Sequence, residues 1–454
     1  MNRLLVNIIV LSLLGCVFAM SAKQQAEPVE HIKQKDTDVV TIFVTGNELG
    51  QLKPCGCSGG QLGGFDRHAA ILNRPEPAKR LIVDTGNLVE QTLKQDLIKF
   101  GITMQAFELL GYDVVNFTSE DVNTAMDMGL LTTSQTGQGF EIITAAGNRE
   151  EVNLPSKFTK RFLSNGRQIE VTVAAFDVES KQAGQISEQL KTLFDNEGET
   201  HSVNILIINS CNAETISLIA KERRVDCLIC PPESDEPELI SNPAERPLVI
   251  SPGRYGRYIV ELQTAATTAS ERPTVSFSMI PVSEDLPQQN SLLELYKDYQ
   301  QMVKQAGLIE EHPRYFLEKS LEYTGSESCR SCHEYAYSKW EQQPHSKAWQ
   351  TLVKAGSQFD PECVLCHVVG MEYEGGFVSE KKTGHLKNVG CENCHGPGSK
   401  HVESYGTEPT GHPKANCTDC HTPEHSSEYA EKQKYYFKKI IHWGEPNTAD
   451  NVNN

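Results

Sequence analysis

Four copies of the pentapeptide Cys-x-x-Cys-His lie in the last third of the chain, and they constrain its fold more than any other feature. They occupy residues 329–333, 363–367, 391–395 and 417–421. Two thiols three residues apart can each form a thioether with one vinyl group of a haem, and the adjoining histidine can then bind the iron. The pattern therefore predicts four covalently bound haem c groups.

The residues assigned to these sites follow from the motif positions. The predicted attachment residues are Cys329, Cys332, Cys363, Cys366, Cys391, Cys394, Cys417 and Cys420, and the predicted proximal iron ligands are His333, His367, His395 and His421. The alternative is zinc, since four Cys-x-x-Cys pairs could also form two closed thiolate sites. Zinc does not require a histidine after every pair, and histidine occupies only 14 of 454 positions, so we favour haem.

The amino terminus predicts export. The apolar run 4–14 follows a basic residue and is too short to span a bilayer, so residues 1–22 are interpreted as a signal peptide. Covalent haem attachment takes place outside the cytoplasm, which agrees with export. Residues 13–16 resemble a lipoprotein cleavage box in which Cys16 is acylated, and cleavage after Ala19 or Ala22 is the alternative. We expect a periplasmic or cell-surface protein, in contact with a membrane only through a lipid on Cys16 if the lipoprotein box is the one that is used.

The composition limits the partners. A length of 454 residues and a hydrophobic content of 38% are sufficient for two domains with cores of their own. The formal net charge of -18 argues against binding to nucleic acid or to anionic lipid, and it favours a basic redox partner. A solvated acidic surface explains the charge equally well.

The two halves of the chain differ in pattern. Residues 36–283 alternate short apolar strands with amphipathic helices, which predicts an α/β fold. The predicted strands include 39–44, 81–83, 114–117, 204–208 and 248–250, and a predicted helix over 93–110 ends at Gly111. Residues 284–320 form a linker with a helix over 292–306. Residues 321–445 lack regular periodicity and form a domain packed around its cofactors, and 446–454 are a polar tail.

The second half resembles a known family. The segments 325–333, 361–367 and 389–401 carry the resemblance, and the last contains the block Cys-Glu-Asn-Cys-His-Gly-Pro-Gly. They are similar to the tetrahaem cytochrome family of ammonia-oxidising bacteria, the electron acceptor of hydroxylamine oxidoreductase, over residues 323–443. The resemblance implies a mainly α, loop-rich domain of closely stacked haems. Most of these would have a histidine on both iron faces, and one haem would lack a distal ligand.

The same resemblance nominates three distal ligands. His345 lies in a Trp-x-x-x-x-His-x-x-Ala context, His401 closes the Gly-Pro-Gly block, and His442 lies in the closing Lys-x-Ile-x-His stretch. The haem that each serves is left open. His312, His385, His412 and His425 are interpreted as surface residues. By the family's order the second haem would be the open one, unless His385 or His412 fills its free position.

The first half resembles metallophosphoesterases of the periplasmic 5'-nucleotidase type. Residues 252–258 carry the clearest similarity, and 45–52, 83–87, 111–121 and 225–234 match further blocks in the same order. The resemblance implies a four-layer α/β/β/α sandwich that holds two metals.

The metal ligands of that family are missing here. Its Asp-x-His is replaced by Asn47-Glu48-Leu49 and its Gly-Asp by Gly86-Asn87. Ser119-Glu120 represents its Asn-His pair, and residues 231–234 its late Gly-His-x-His block. Because two divalent metals need several carboxylates and imidazoles, we predict no phosphoesterase activity.

Five further cysteines lie near the lost ligand loops. If the fold is right, Cys55, Cys57, Cys211, Cys227 and Cys230 would share one rim and could form a thiol site for a soft metal or a redox-active disulfide. The favoured alternative is two structural disulfides and one spare thiol.

Together these features predict an exported electron-transfer protein without catalytic residues. Its inactive phosphoesterase-like domain would serve docking or ligand binding. The alternative is a haem enzyme that acts on a small nitrogen or sulfur species at an open iron, and a hydrolase with an auxiliary cytochrome is a further, less favoured interpretation.

Overall fold

The computed structural model describes residues 38–54, 59–131, 139–145, 153–179, 181–194, 201–266, 272–318, 320–410, 416–423, 425–426 and 428–444. By its internal contacts Val39–Asn454 forms one compact unit. The predicted signal peptide, Cys16, Cys55, Cys57, His412 and the tail 446–454 lie outside the described residues. In the part that is described, no helix is both long and apolar enough to cross a membrane.

Strands fill the first half of the chain. In chain order they are β1 Val40–Thr45, β2 Arg80–Asp84, β3 Val114–Phe117, β4 Glu141–Thr144, β5 Lys157–Ser164, β6 Arg167–Phe176, β7 Ser202–Ile208, β8 Cys227–Ile229, β9 Glu238–Leu239, β10 Leu248–Ser251, β11 Tyr258–Thr264 and β12 Ser276–Pro281. The strands predicted from the apolar runs are thereby confirmed. Every residue of β1 is buried, as expected for a parallel strand that is covered on both faces.

Over the described residues the strands form two six-stranded sheets. The first has the order β12-β11-β1-β2-β3-β4 and the second β5-β6-β7-β8-β10-β9. β1 to β4 pair in parallel, as do β6, β7, β8 and β10, whereas β5, β9, β11 and β12 are antiparallel to their neighbours. The carboxyl ends of β1, β2 and β3 therefore meet at one edge of the first sheet.

The helices of this half are α1 Phe65–Leu72, α2 Lys94–Leu110, α3 Ser119–Asp127, α4 Ala183–Leu193, α5 Ala213–Lys221, α6 Asn290–Ala306 and α7 Leu308–Glu311. The predicted end of α2 is confirmed, because Gly111 adopts a left-handed conformation with φ 71°. The predicted helix over 292–306 is α6, which ends at Gly307.

The hydrophobic cores arrange these elements in layers. Ile42 of β1 and Val173 of β6 belong to one core between the two sheets. Phe43, which points to the other face of β1, packs in a second core with Phe107 of α2. A further core joins the outer face of the second sheet to α4 and α5, for example at Leu190. The layers therefore run helix, sheet, sheet, helix, which confirms the predicted four-layer sandwich.

The second half is built of short helices. They are α8 Glu334–Glu341, α9 Ala348–Ala355, α10 Pro361–Val364, α11 Glu380–Thr383, α12 Cys391–His395, α13 Ser399–Glu403 and α14 Tyr429–Lys439. Its small core is formed around Trp349, Val364 and Phe377. This confirms the predicted mainly α, loop-rich character.

Candidate haem centres

Each Cys-x-x-Cys-His motif begins in a short helical turn. The turns are Ser326–Cys329, α10 followed by Leu365–His367, α12, and Cys417–Asp419. The His333 N–H donates to the Cys329 carbonyl and the His421 N–H to the Cys417 carbonyl, both at 2.9 Å. Positions three and four residues apart lie on one face of a helical turn, so each motif presents its thiols and imidazole on one side.

Among the described residues, the three nominated distal histidines each lie opposite a proximal imidazole. The ring centroids are 5.9 Å apart for His333 and His401, 6.2 Å for His421 and His345, and 6.1 Å for His395 and His442. Each distal histidine comes from a segment that is remote from its partner in the chain. His401, for example, follows the third motif but lies opposite the histidine of the first motif. The structure thus brings together residues whose pairing the sequence left open.

Several of these rings are oriented through Nδ1. His401 donates to the Glu408 carbonyl and His442 to the Ile440 carbonyl, both at 2.8 Å, and His421 Nδ1 lies 2.8 Å from Ser426 Oγ. A hydrogen bond at Nδ1 fixes the ring and its tautomer, so that Nε2 keeps the lone pair that a metal binds.

Burial favours the neutral form of the rings. It lowers the pKa of His345, and the nearby charges of His421 and His367 lower it further. Burial also lowers the pKa of His421. Neutral imidazole is the form that binds a metal, so this environment suits axial ligation.

The second motif has different surroundings. The His367 Nδ1–H donates to the Ala348 carbonyl at 2.8 Å. Burial lowers the pKa of His367, and the charge of His425 lowers it further. His425 was expected at the surface but is half-buried near this ring, whereas His385 is exposed as expected. That the iron of the second haem lacks a distal ligand stays a prediction.

The attachment thiols of different motifs lie side by side. Cys329 of the first motif is a hydrogen-bond partner of Cys391 of the third. Cys366 of the second motif is a partner of Cys420 of the fourth. The first and third attachment sites are therefore neighbours, and so are the second and fourth.

The residues that replace the phosphoesterase ligands interact with each other. At the carboxyl ends of β1 and β2, the Asn87 side-chain amide donates to the Asn47 Oδ1 at 2.8 Å. Asp121 accepts the backbone N–H groups of Asn87 and Leu88 at 2.8 and 3.0 Å. Ser119 and Glu120 are exposed at the start of α3. In the described residues no cluster of three or more His, Cys, Asp or Glu side chains is arranged to hold a metal ion.

Two buried carboxyl groups lie beside this amide pair. Burial, and then the adjacent charge of Asp84, raise the pKa of Glu48 well above its usual value. Burial raises the pKa of Asp84 to about 7. The hydrogen bonds that Asp84 accepts from Thr45 and from the Gly86 N–H act in the opposite direction and lower this pKa. Two carboxyl groups buried next to each other disfavour the state in which both are ionised, because like charges repel and burial removes the water that would screen them.

The expectation that five cysteines share one rim is wrong for Cys227. Alternate residues of a strand point to opposite faces, so Cys227 is buried between the sheets whereas Cys230 belongs to the outer core. Cys230 and Cys211 form a disulfide with Cα atoms 5.5 Å apart. Whether this disulfide is structural or redox-active stays a prediction. Burial raises the pKa of the Cys227 thiol.

Sequence reasoning missed Asp360, which precedes the second motif. Asp360 is the N-cap of α10, with Pro361 at the first helical position, and this Asp-Pro pattern is a recognisable helix start. Its other partners come from α2 and α6, and no local pattern identifies them.

Motif turns with facing imidazoles define a c-type cytochrome. Residues 328–396 match the family described as cytochrome c554 and c-prime. The chain is 35% identical over 91 residues to cytochrome c-554 of Nitrosomonas europaea, a match over 17% of this chain and 39% of that protein. The chain thus spans less than half the length of this curated relative. The similarity supports covalently bound haem c as the cofactor.

The N-terminal half resembles phosphoesterases of known structure. One is the calcineurin-like phosphoesterase YfkN from Bacillus subtilis, with 14% identity and a TM-score of 0.44 over 59% of this chain and 98% of that one. Another is a 5'-nucleotidase precursor from Thermus thermophilus, with 14% identity and a TM-score of 0.45 over 64% of this chain and 63% of that one. The four-layer architecture itself follows from the strand pairing and the cores described above.

Proposed function

We propose that this protein is an exported electron carrier with four covalently bound haem c groups. The observation that carries the proposal is the set of facing imidazoles: His333 with His401, His421 with His345, and His395 with His442, with centroids 5.9 to 6.2 Å apart. Haem c, when bound, supplies an iron that accepts and releases one electron.

The spacing of the rings fits axial ligation. Imidazole nitrogen binds a first-row transition metal at about 2 Å, so two rings on opposite sides of one iron have centroids about 6 Å apart. The bonds from Nδ1 to carbonyl or hydroxyl oxygens would hold these rings in place. An iron with both axial positions filled is suited to electron transfer rather than to substrate binding.

The neighbouring attachment thiols support a relay. Cys329 lies beside Cys391, and Cys366 beside Cys420, so the haems would be adjacent in the pairs first with third and second with fourth. An electron that enters at one haem would then find the next acceptor close by. We propose redox proteins as partners, with basic surfaces that complement the net charge of -18.

The N-terminal domain would serve to position the haem domain or to dock a partner, and it would not hydrolyse phosphoesters. Support comes from the Asn87 to Asn47 hydrogen bond, because amides bind divalent cations less well than the carboxylates that the resembled family carries. We propose a periplasmic or cell-surface location, and a lipid on Cys16 would attach the protein to the membrane if the signal peptide is cleaved before that residue. Globomycin sensitivity of processing and labelling with a fatty acid, compared between the wild type and Cys16→Ser, would test the anchor.

Electron paramagnetic resonance of the fully oxidised protein tests the electron-carrier proposal. Total haem is first counted by intact mass, where four groups are expected. High-spin and low-spin iron are then integrated against that total, and at least three low-spin irons in four are expected. One high-spin iron would agree with an open second haem. Two or more high-spin irons, or fewer than four haems, would contradict the proposal.

A further inference from the structure

The attachment turn of the second haem is bound to the first domain by a buried polar cluster. Asp360, which is 3% exposed, accepts hydrogen bonds from Gln95 of α2 at 2.9 Å and from Tyr299 and Gln300 of α6 at 2.9 and 3.3 Å. Its own carbonyl accepts the Cys363 N–H at 3.1 Å. One residue thus joins α2 of the first domain and the linker helix α6 to the backbone of an attachment cysteine.

A buried cation lies next to the same turn. Lys99 of α2 is 6% exposed, and its ammonium group lies 2.5 Å from a carboxylate oxygen of Glu362, the neighbour of Cys363. The side chain of Glu362 is 57% exposed, so water reaches one partner of the ion pair but hardly the other.

The loop after β1 fixes the stem of Lys99. Gly50 has φ 78°, and a Cβ at this position would meet the Lys99 Cδ at 3.0 Å. The absence of a side chain at Gly50 therefore lets Lys99 lie against the loop that carries Asn47 and Glu48. Lys99 therefore lies between the loop after β1 and the second haem motif.

We propose that the first domain forms part of the second haem site, and that the buried ammonium of Lys99 raises the reduction potential of that haem. A nearby positive charge stabilises the iron in the state with one more electron, and it acts strongly where little water screens it. Glu362 opposes this effect with its negative charge. Asp360 is a positioning residue that holds the turn against α2 and α6. This inference rests on the proposed haem attachment.

Charge variants of the ion pair test the proposal in opposite directions. Lys99→Met is expected to lower the reduction equilibrium constant of one haem on the order of tenfold, and for one electron a tenfold change is about 59 mV. Glu362→Gln is expected to raise the constant, and the double variant to return toward the wild type. Loss of packing alone would not give shifts of opposite sign.

The measurement is a spectroelectrochemical titration of the full-length haem-loaded protein. His367→Met, which changes or removes the wave of the second haem, identifies that wave. Lys99→Arg keeps the charge and should restore the wild-type potential. Lys94→Met is the matched control, since Lys94 lies on the same helix in an exposed ion pair with Glu311 and should leave the wave unchanged.

Three outcomes would overturn the proposal: no shift in either single variant, shifts of equal sign, or equal shifts in all waves. If Lys99→Met does not accumulate, Glu362→Gln still gives a signed test because its side chain is largely exposed. A count of four haems by mass in each variant would show that haem attachment is intact. A missing potential shift would then contradict the role of Lys99 and not the proposed function. Fewer than four in the wild type would count against haem attachment itself.

Discussion

At the scale of single residues, hydrogen bonds decide which nitrogen of a histidine is available. His401 and His442 both donate from Nδ1 to backbone carbonyls, which leaves Nε2 as the metal-binding atom. Their sequence contexts nominated them, but the partner of each ring could not be inferred, because the two members of a pair are far apart in the chain.

Replacing one distal histidine should open one iron. We expect His401→Ala to convert one low-spin iron to high spin while the haem count stays the same, because His333 would remain as the proximal ligand of the first haem. Electron paramagnetic resonance with intact mass measures this. His312, which is not assigned to any haem, provides the control His312→Ala, which should leave the spectrum unchanged. An unchanged spectrum in His401→Ala would contradict the assignment.

The buried pair Glu48 and Asp84 should make stability depend on pH. Burial raises the pKa of both groups, that of Asp84 to about 7, so the folded protein binds protons more tightly than the unfolded chain. The contribution of Asp84 to stability is complete below a pH of about 4 and is lost as the pH rises through about 7. The contribution of Glu48 is likewise lost as the pH rises through its own raised pKa.

Glu48→Gln should remove part of the dependence of stability on pH. At pH 8 the variant should be more stable by about 1–3 kcal/mol, and at pH 4 it should match the wild type. Melting temperatures at both pH values measure the difference. The exposed Glu179 supplies the control Glu179→Gln, which should show no such difference, and an equal shift at both pH values would refute the explanation.

At the scale of elements, local capping signals predicted helix ends but not helix partners. Gly111 and Gly307 end α2 and α6 in left-handed conformations, as glycine there allows. The Asp-Pro pattern at the start of α10 is a local signal of the same kind, although it was missed in the sequence. That the cap of α10 also binds side chains of α2 and α6 depends on how the halves fold together.

Asp360→Ala should therefore lower the free energy of unfolding by more than the loss of an ordinary N-cap does. A cap contributes about 1 kcal/mol, and each buried donor left without an acceptor adds about 1–3 kcal/mol. We expect the free energy of unfolding to fall by about 3 kcal/mol for Asp360→Ala and by about 1 kcal/mol for Ser379→Ala, which removes the N-cap of α11. Denaturant unfolding measures both, and equal losses would argue against the buried cluster.

At the scale of the whole molecule, two sheets and a set of motif turns share one compact unit, Val39–Asn454. The first half has a four-layer architecture, and the side-chain amides of Asn47 and Asn87 meet at the carboxyl ends of β1 and β2.

Phosphatase assays should accordingly give no turnover. With Mn²⁺ or Zn²⁺ added, hydrolysis of a nucleotide or of a chromogenic phosphomonoester is expected to stay at the buffer rate, since Asn47 and Asn87 supply no carboxylate to hold two metals. A metal-dependent rate that disappears in Asp84→Ala would contradict this. Haem content serves as the check that the protein assayed is intact.

The sequence alone determined the cofactor class, because thioether attachment and proximal ligation use five consecutive residues. It also determined the α/β layering, because strand and helix periodicities are local. Only the tertiary structure decided that His401 faces His333, that Cys227 points between the sheets while Cys230 forms a disulfide, and that Lys99 meets Glu362. The reason is physical: these contacts join segments distant in the chain, and the packing of the cores brings them together.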